Sequence, residues 1–301
     1  MVIRKLCAVL RRLLVLVFFG LVVGRFFVDY PFAWWLIFTP LVLSWVAGIV
    51  AGRSARHDMG AAPREPVEVL PPVTGRWSAL NSPADRVPSH GTHGYGQTYA
   101  IDITAEDDER PRPGFSWLWP LARRGDRYPA FGADLLAVAD ATVVHAEDRQ
   151  RDHLSRSSLV GVLYLLFVEG DLRGLAGAHR VLGNHVILDL GGGTYAAYAH
   201  LQRGSLAVRP GDRVRAGQVI GRCGNSGNSS EPHLHFQLMD SPDLEAARGV
   251  PFRWRGVGVP ANKEEFTVTT VTEGSPADGR GDGRGETTLT KNGPSANLSR
   301  D

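Results

Sequence analysis

Cysteine is nearly absent from this chain, whose 301 residues include only Cys7 and Cys223. The two are far apart in the sequence, and Cys7 lies in an apolar amino-terminal segment. A disulfide framework is therefore excluded. An excess of charge is also missing, because 33 Lys and Arg face 31 Asp and Glu, for a formal net charge of +2. This balance gives no indication of a nucleic-acid partner.

Lysine is rare as well, since the whole chain contains only Lys5, Lys263 and Lys291. This scarcity bears on the segment RPGDRVRAGQVIG (209–221), because its Pro-Gly-Asp turn and Val/Ile strands recur in lipoyl- and biotinyl-type barrels. A carrier domain of that kind needs a modified lysine in an exposed hairpin. None of the three lysines lies near the segment, which we therefore interpret as scaffold.

Charge is missing from two stretches near the amino terminus, residues 13–24 and 31–51. At about 1.5 Å per residue the second stretch covers the roughly 30 Å hydrocarbon core of a membrane. No small-residue cleavage site follows, so the pattern favours an uncleaved anchor over a signal peptide. We therefore predict a membrane anchor of one or two transmembrane helices in residues 1–52.

Two further segments lack regular patterning. Residues 53–78 are rich in Pro, Arg, Ala and Gly and show no periodicity, which predicts a juxtamembrane linker. Residues 271–301 contain no aromatic side chain, which predicts a disordered tail. One folded domain is thus expected between them, in residues 79–270.

The middle of the chain shows short alternating patterns separated by glycine turns. Asn184–Leu190 and Tyr195–Leu201 flank Gly-Gly-Gly-Thr, which predicts a hairpin. About ten such strands and few helical stretches indicate a mainly β, antiparallel fold. Residues 105–130 are charged and irregular and are interpreted as an inserted loop. Its Trp117 and Trp119 could line a groove or cover the core, and we favour core cover.

The chemistry is most apparent in CGNSGNSSEPHLHFQLM, residues 223–239. Its HLHFQL part alternates strictly, so that His233, His235 and Gln237 share one face of a strand. Residues i and i+2 on a strand lie roughly 6 to 7 Å apart. One imidazole can therefore hold a metal while the other stands beside it, although a bare pair of this kind is more often two surface histidines.

Other strands and loops offer further groups of the same kind. In QTYAIDIT the alternation predicts a strand with Asp102 on one of its faces. His90 and His93 lie in the Gly-rich loop before this strand. In YAAYAHL the alternation places His200 on the face of Tyr198. Two or three histidines with one aspartate are a typical set of zinc ligands.

The remaining histidines of this region show no such pattern. His145, His153 and His179 have no partner pattern around them and are interpreted as ordinary surface or core histidines. His185 shares its face with Ile187 and is interpreted as structural.

Taken in order, these segments resemble the lysostaphin-type (LytM-like) zinc metalloendopeptidases, a family of peptidoglycan hydrolases. The likeness covers roughly residues 89–252 and rests on YAIDI, ADATVVHAED, GNHVILDL, YAAYAHL, RPGDRVRAGQVIG and GNSGNSSEPHLHFQL. The resemblance implies an antiparallel β-sheet or sandwich of the duplicated hybrid motif type, with the site in a groove.

The resemblance also implies residue roles. One Zn²⁺ ion would be bound by Asp102 and His235, while His200 and His233 would act on the water and the oxyanion. The most familiar pattern of the family has a histidine four residues before the aspartate, where this chain has Thr98.

The third ligand must then come from the loop before the Asp102 strand, which offers His90 and His93. Pro88 stiffens the approach to His90, whereas His93 lies among glycines and is more costly to order. Related proteins with a longer spacing also place their histidine ahead of the loop. Both observations favour His90, with His93 as the alternative.

By this resemblance the chain is expected to be a membrane-anchored zinc endopeptidase that hydrolyses peptide bonds of peptidoglycan. The alternative is a non-catalytic lysostaphin-like domain that binds the cell wall or activates another wall hydrolase, and the presence of the full His/Asp set favours the enzyme. Basic residues flank the apolar region on both sides, which by the positive-inside rule places both ends in the cytoplasm. Because a wall hydrolase must act outside, we nevertheless predict a catalytic domain on the outer face of the cell membrane.

Overall fold

The computed structural model describes residues 2–58 and 64–269. The α-helices of these residues are α1 (Val2–Gly24), α2 (Thr39–Asp58), α3 (Leu159–Tyr164), α4 (Gly170–Leu175) and α5 (Ala178–Leu182). Short 3₁₀ segments lie at Trp34–Phe38, Gly94–Tyr99 and Gly125–Arg127, and a π-helical turn lies at Leu165–Glu169. The predicted tail, 271–301, and residues 59–63 of the predicted linker lie outside the described residues.

The strands of the described residues are β1 (Val67–Val69), β2 (Gly75–Leu80), β3 (Ile101–Ala105), β4 (Asp134–Leu136), β5 (Ala141–Glu147), β6 (Asn184–Asp189), β7 (Tyr195–Leu201), β8 (Arg213–Val214), β9 (Val219–Arg222), β10 (Leu234–Met239), β11 (Gly249–Val250), β12 (Phe252–Trp254) and β13 (Glu265–Val268). Most of them form one sheet in the order β13-β2-β3-β10-β7-β6-β5-β8, with β11 paired to β10. Every pairing in that sheet is antiparallel. The predicted mainly β, antiparallel fold is therefore confirmed.

One face of this sheet carries the main hydrophobic core. Leu234, Phe236 and Leu238 of β10 are fully buried there, and Tyr198 of β7 packs edge-on against Phe236 with ring centroids 5.3 Å apart. The phenol oxygen of Tyr198 accepts a hydrogen bond from the Val138 N–H at 2.9 Å, so its polar end is also satisfied. The apolar half of the HLHFQL alternation thus faces the core, as the period-2 pattern predicts.

The polar half of the alternation faces the other side of the sheet. His235 pairs directly with Asp102 of β3 on one side and with Ala199 of β7 on the other. Residues directly opposite each other in an antiparallel pair point to the same face. The middle of the sheet therefore presents Asp102 and His235 side by side.

The predicted hairpin is confirmed, since β6 and β7 pair antiparallel around the 191–194 turn. Its second strand departs from regular alternation at its end. The register shifts where Asn184 pairs with Leu201 but Val186 pairs with Tyr198, and His200 has a φ of +64°. A bulge of this kind redirects a side chain to the other face of the sheet.

The predicted face of His200 is consequently wrong. The Tyr198 ring packs in the core, whereas the His200 ring lies 5.7 Å from that of His235, centroid to centroid, on the opposite face. Strict alternation would have placed His200 with Tyr198. The irregular backbone at His200 places it beside the polar residues instead.

The segment between β3 and β4 contains no strand among its described residues, and its 3₁₀ turn is short. The interpretation of its two tryptophans as core cover is wrong, because Trp117 is 77% and Trp119 is 79% exposed. The loop is tied to the domain through polar contacts instead. Arg123 donates hydrogen bonds to the hydroxyls of Ser116 and Ser157, and Arg112 forms an ion pair with Glu231.

The two amino-terminal helices contact each other, for the hydroxyl of Ser44 in α2 donates to the carbonyl of Arg11 in α1 at 3.3 Å. Within residues 2–58 and 64–269, no helix has both the length and the apolar character needed to cross a membrane. The predicted transmembrane helix in residues 1–52 is therefore not supported. The second uncharged stretch, residues 31–51, is not one continuous α-helix. Helix α2 begins at Thr39, so residues 31–38 of that stretch lie outside it.

Residues 64–78, which the sequence assigned to a linker, contain β1 and most of β2. β1 pairs in parallel with β12, and Trp77 of β2 is only 2% exposed. β1 has only three residues, too few to show a period in the sequence, and both strands were missed. Their partners lie far along the chain, at 252–254 and 265–268, so only the folded chain reveals them.

Candidate metal centre

The polar face of the sheet brings together three of the predicted metal ligands. One nitrogen each of His90 and His235 and a carboxylate oxygen of Asp102 lie within 4.8 Å of one another. Asp102 joins the two imidazoles, because its Oδ2 lies 2.9 Å from His90 Nε2 and its Oδ1 lies 2.9 Å from His235 Nδ1. Asn81 holds the carboxylate by donating to Oδ2 at 2.9 Å.

The protonation of His235 follows from its neighbours. The Gln237 amide donates from Nε2 to the Tyr95 carbonyl at 2.7 Å, so its Oε1 is the atom that lies 3.0 Å from His235 Nε2. An amide oxygen can only accept, so His235 Nε2 carries the proton. His235 Nδ1 is thus the ring nitrogen that faces the Asp102 carboxylate.

A neighbouring hydroxyl also fixes the ring of His90. The Ser89 hydroxyl lies 3.0 Å from His90 Nδ1 and forms a hydrogen bond with it. His90 Nε2 faces the Asp102 carboxylate. The donor set of two imidazoles and a carboxylate suits zinc.

Asp102 is ionised in this setting. Burial disfavours its charged form, but the nearby His90 and His233 outweigh that effect, and the pKa of Asp102 is held well below its ordinary 3.8. The carboxylate thus carries a full negative charge, which a metal cation would neutralise.

The alternative ligand, His93, has a different environment. Its Nδ1 lies 3.2 Å from the hydroxyl of Thr98, the residue at the position where the familiar family pattern has histidine. His90, by contrast, stacks edge-on against His235 with ring centroids 4.8 Å apart. The cluster of three close ligand atoms includes His90 and not His93.

His200 and His233 lie beside the cluster. Their ring centroids are 4.8 Å apart, and His233 Nε2 is 3.5 Å from Asp102 Oδ1. A backbone carbonyl fixes each ring, because His200 Nδ1 donates to Ser226 at 2.9 Å and His233 Nδ1 donates to Glu231 at 2.7 Å. Both Nε2 atoms therefore remain for other partners.

The two rings have opposite protonation tendencies. Burial lowers the pKa of His200 well below 6.5, and the adjacent His233 and His235 lower it further. Burial also disfavours protonation of His233, but the Asp102 carboxylate outweighs it, so the pKa of His233 is raised. One ring suited to accepting a proton thus adjoins one suited to donating a hydrogen bond.

Sequence reasoning missed several supporting residues. Asn81, Gln237 and the carbonyls of Ser226 and Glu231 orient the site, yet no pattern in the sequence distinguishes Asn81 or either carbonyl. Gln237 could have been found, because it shares the face of His233 and His235 in the HLHFQL alternation. Outer contacts of this kind set the orientation and basicity of metal-binding side chains.

A second group of histidines was also missed. His145, His179 and His185 each offer a ligating nitrogen, and the three atoms lie within 4.8 Å of one another. The sequence showed no partner pattern for His145 or His179 and indicated a structural role for His185, whereas the structure brings the three rings together. They come from β5, α5 and β6, and their proximity depends on the packing of α5 against the sheet.

Comparison with known proteins agrees with the site. The profile of Peptidase family M23 matches residues 170–246, which include His200, His233 and His235 but not His90 or Asp102. The match covers well under half of the 301-residue chain. It thus contains one of the three clustered ligand residues and both neighbouring histidines.

Three curated proteins are similar to parts of the chain. Cell division protein DipM of Caulobacter vibrioides is 28% identical over 129 residues, which are 43% of this chain and 19% of DipM. Glycyl-glycine endopeptidase ALE-1 of Staphylococcus capitis is 55% identical over 42 residues, 14% of this chain and 11% of the relative. Peptidoglycan DD-endopeptidase ShyA of Vibrio cholerae is 38% identical over 61 residues, 20% of this chain and 14% of the relative.

The chain thus spans less than a fifth of the length of each of these relatives. The segment that matches the family profile is the one that carries β6, β7 and β10, the hairpin and the HLHFQL strand of the site. The chain carries a Peptidase family M23 match over residues 170–246, and the resemblance to lysostaphin-type peptidases predicted from its motifs is confirmed.

Proposed function

We propose that this chain is a zinc-dependent endopeptidase that hydrolyses peptide bonds of peptidoglycan. The observation that carries the proposal is the convergence of His90, Asp102 and His235, whose ligand atoms lie within 4.8 Å of one another beside His200 and His233. His90, Asp102 and His235 would hold one zinc ion, and His200 and His233 would act on the substrate and water beside it. The name of ShyA and the name of ALE-1 both describe endopeptidases, which supports the reaction class.

His90, Asp102 and His235 are the proposed zinc ligands. His90 is preferred to His93 because its Nε2 lies 2.9 Å from Asp102, whereas His93 Nδ1 lies 3.2 Å from Thr98. When bound, zinc supplies Lewis acidity, which lowers the pKa of water towards 7 and polarises a scissile carbonyl. No other cofactor is required for amide hydrolysis.

His200 is the proposed general base. Its Nδ1–H is engaged with the Ser226 carbonyl, so its Nε2 holds the lone pair that accepts a proton from the attacking water. Its lowered pKa keeps the ring neutral, so that Nε2 is unprotonated before the reaction. After the tetrahedral stage, the same nitrogen returns the proton to the leaving amine.

His233 is the proposed stabiliser of the oxyanion. The Glu231 carbonyl accepts from Nδ1–H and thereby aims Nε2 across the site towards Asp102. Its raised pKa favours a protonated ring, whose Nε2–H can donate to developing negative charge. The ion pair of Glu231 with Arg112 fixes this arrangement from the inserted loop.

Peptidoglycan is the proposed substrate because the named activities of two relatives point to it or to glycine-rich peptides. ShyA is named for a peptidoglycan DD-endopeptidase activity, and ALE-1 for cleavage between glycines. The test is hydrolysis by the zinc-loaded full chain of two substrates, purified peptidoglycan and pentaglycine. We expect release of new amino groups from at least one of them and none after chelation of the metal.

The same experiment distinguishes the enzyme from the alternative, a non-catalytic domain that binds the wall or activates another hydrolase. A chain that binds zinc stoichiometrically and sediments with peptidoglycan, yet releases no amino groups from any wall preparation, would be a wall-binding or activating domain. A matched variant, His200→Ala, should sediment with peptidoglycan as the wild type does and should not cleave it.

The location of the domain follows from the proposed substrate. Because peptidoglycan lies outside the cytoplasmic membrane, we propose that residues 79–270 act on the outer, cell-wall face. Protease added to intact spheroplasts should degrade this region. Protection of the region until the cells are lysed would exclude the outer location.

A further inference from the structure

We propose that His145, His179 and His185 form a second metal site that binds a divalent transition ion such as Zn²⁺, separate from the proposed catalytic centre. Each offers one ligating nitrogen, and the three atoms lie within 4.8 Å of one another. Their rings are mutually close, with centroid separations of 4.9, 4.7 and 5.1 Å. Neutral imidazole is a preferred ligand of Zn²⁺, Ni²⁺ and Cu²⁺.

The sheet register brings the first two rings to one face. His145 of β5 pairs directly with Ile187 of β6, and His185 lies two residues before Ile187 on the same strand. Side chains at i and i+2 share a face, and so do directly paired residues, so His145 and His185 project together. α5 packs on that face, since Leu182 and Ile187 belong to one apolar cluster, and α5 supplies His179.

The tautomer of His185 is fixed by the backbone. His185 is fully buried, and its Nδ1 lies 2.7 Å from the Gly183 carbonyl, to which it donates. Its Nε2 therefore carries a lone pair. This nitrogen lies 3.1 Å from His179 Nδ1. A metal-binding histidine commonly donates its other ring N–H to a backbone carbonyl in this way.

His145 has an unsatisfied nitrogen. Its Nε2 is buried and finds no hydrogen-bond partner among the described residues. A buried polar nitrogen without a partner is costly, and a metal ion is one group that would satisfy it. Of the three rings, only that of His179 is exposed, so an ion can enter from solvent and keep an open position for water.

The spacing suits an ion after small side-chain rotations. Zn–N bonds of about 2.0–2.1 Å place two ligating nitrogens of a tetrahedral site about 3.4 Å apart. The His179 and His185 nitrogens, at 3.1 Å, are already close to that separation. On binding, the ion takes the place of the proton between these two nitrogens, and that proton moves to Nε2 of His179, so that the ring stays neutral and ligates through Nδ1.

The two sites can be counted separately by zinc titration of the full chain. We expect wild type to bind two zinc ions, His90→Ala to bind one, His179→Gln to bind one, and the double variant to bind none. Loss of a ligand should weaken the second site by more than the roughly 10–100-fold typical of an outer contact. Arg180→Gln, an exposed neighbour of His179 on α5, is the matched control and should bind two.

The melting temperature is a second readout, which distinguishes the loss of a metal site from a folding defect of the variant. Zinc should raise the melting temperature of His90→Ala but not that of His90→Ala with His179→Gln, whereas the metal-free melting temperatures of the two should agree. His145→Gln should reproduce the loss. A wild-type stoichiometry of one that falls to none in His90→Ala, or two ions in both His179→Gln and His145→Gln, would overturn the second site. Peptide hydrolysis by His179→Gln would remain, so failure of this inference is distinct from failure of the proposed enzyme.

Discussion

At the scale of single residues, His90 and His93 compete for one role. His90 Nε2 faces Asp102 at 2.9 Å, and His93 Nδ1 faces the Thr98 hydroxyl at 3.2 Å. We therefore expect His90→Ala to lose the catalytic zinc and His93→Ala to keep it. Both residues are partly buried in the same loop, so each is the control for the other. Metal content measured after gel filtration of each variant decides between them, and the reverse pattern would assign the ligand to His93.

His200 and His233 lie next to the cluster, and their roles concern the reaction more than the metal. We expect His200→Ala and His233→Ala each to retain the catalytic zinc and to lower kcat by about 10²–10⁴-fold, the usual contribution of a positioned acid or base. Steady-state hydrolysis of peptidoglycan fragments, with zinc content measured in parallel, is the test. If either variant lost zinc, that histidine would belong to the ligands.

At the scale of secondary-structure elements, the turn into β6 positions the site through close backbone contact. Gly183 has a φ of +69°, and a Cβ there would lie 2.5 Å from the Ser226 carbonyl carbon. Ser226 is the residue whose carbonyl oxygen orients His200. The turn thus connects the β6 strand to the proposed base.

Gly183→Ala should therefore both destabilise the fold and impair the reaction. We expect a loss of about 2–5 kcal/mol in the free energy of unfolding, from left-handed strain and overpacking together. Gly192→Ala is the matched control, because its φ is +59° but nothing lies within 4 Å of the added Cβ. That control should lose only about 1–2 kcal/mol and keep its kcat. Equal effects of the two substitutions in urea unfolding would show that the Ser226 contact is unimportant.

The elements differ in how well the sequence predicts them. The β10 strand and the β6–β7 hairpin were predictable, because period-2 alternation and a glycine turn are local signals. The aim of His200 was not, since it depends on a register shift against β6 and a φ of +64°. Strands β1 and β2 were also missed, because their pairing partners are remote in sequence.

At the scale of the whole molecule, bound zinc should contribute to folding stability. An ion that binds only the folded chain at about 100 times its Kd adds about 2.7 kcal/mol, which for a domain of this size is about 5–10 °C in Tm. We expect EDTA to lower the Tm by such an amount and added zinc to restore it. His90→Ala should respond less than wild type in the same calorimetric scans. A Tm that is indifferent to chelation would contradict metal binding by the folded chain.

The sequence by itself determined the polar and apolar faces of the HLHFQL strand, the antiparallel β class and the set of histidines and aspartate from which the site is built. Those features follow from side-chain periodicity and from the coordination chemistry of imidazole and carboxylate, which are properties of short segments. Only the tertiary structure decided that His90 adjoins Asp102, that His200 faces His235, and that His145, His179 and His185 meet. Each of these depends on strand register, a bulge or the packing of a helix on the sheet, and such contacts join residues that no local pattern relates.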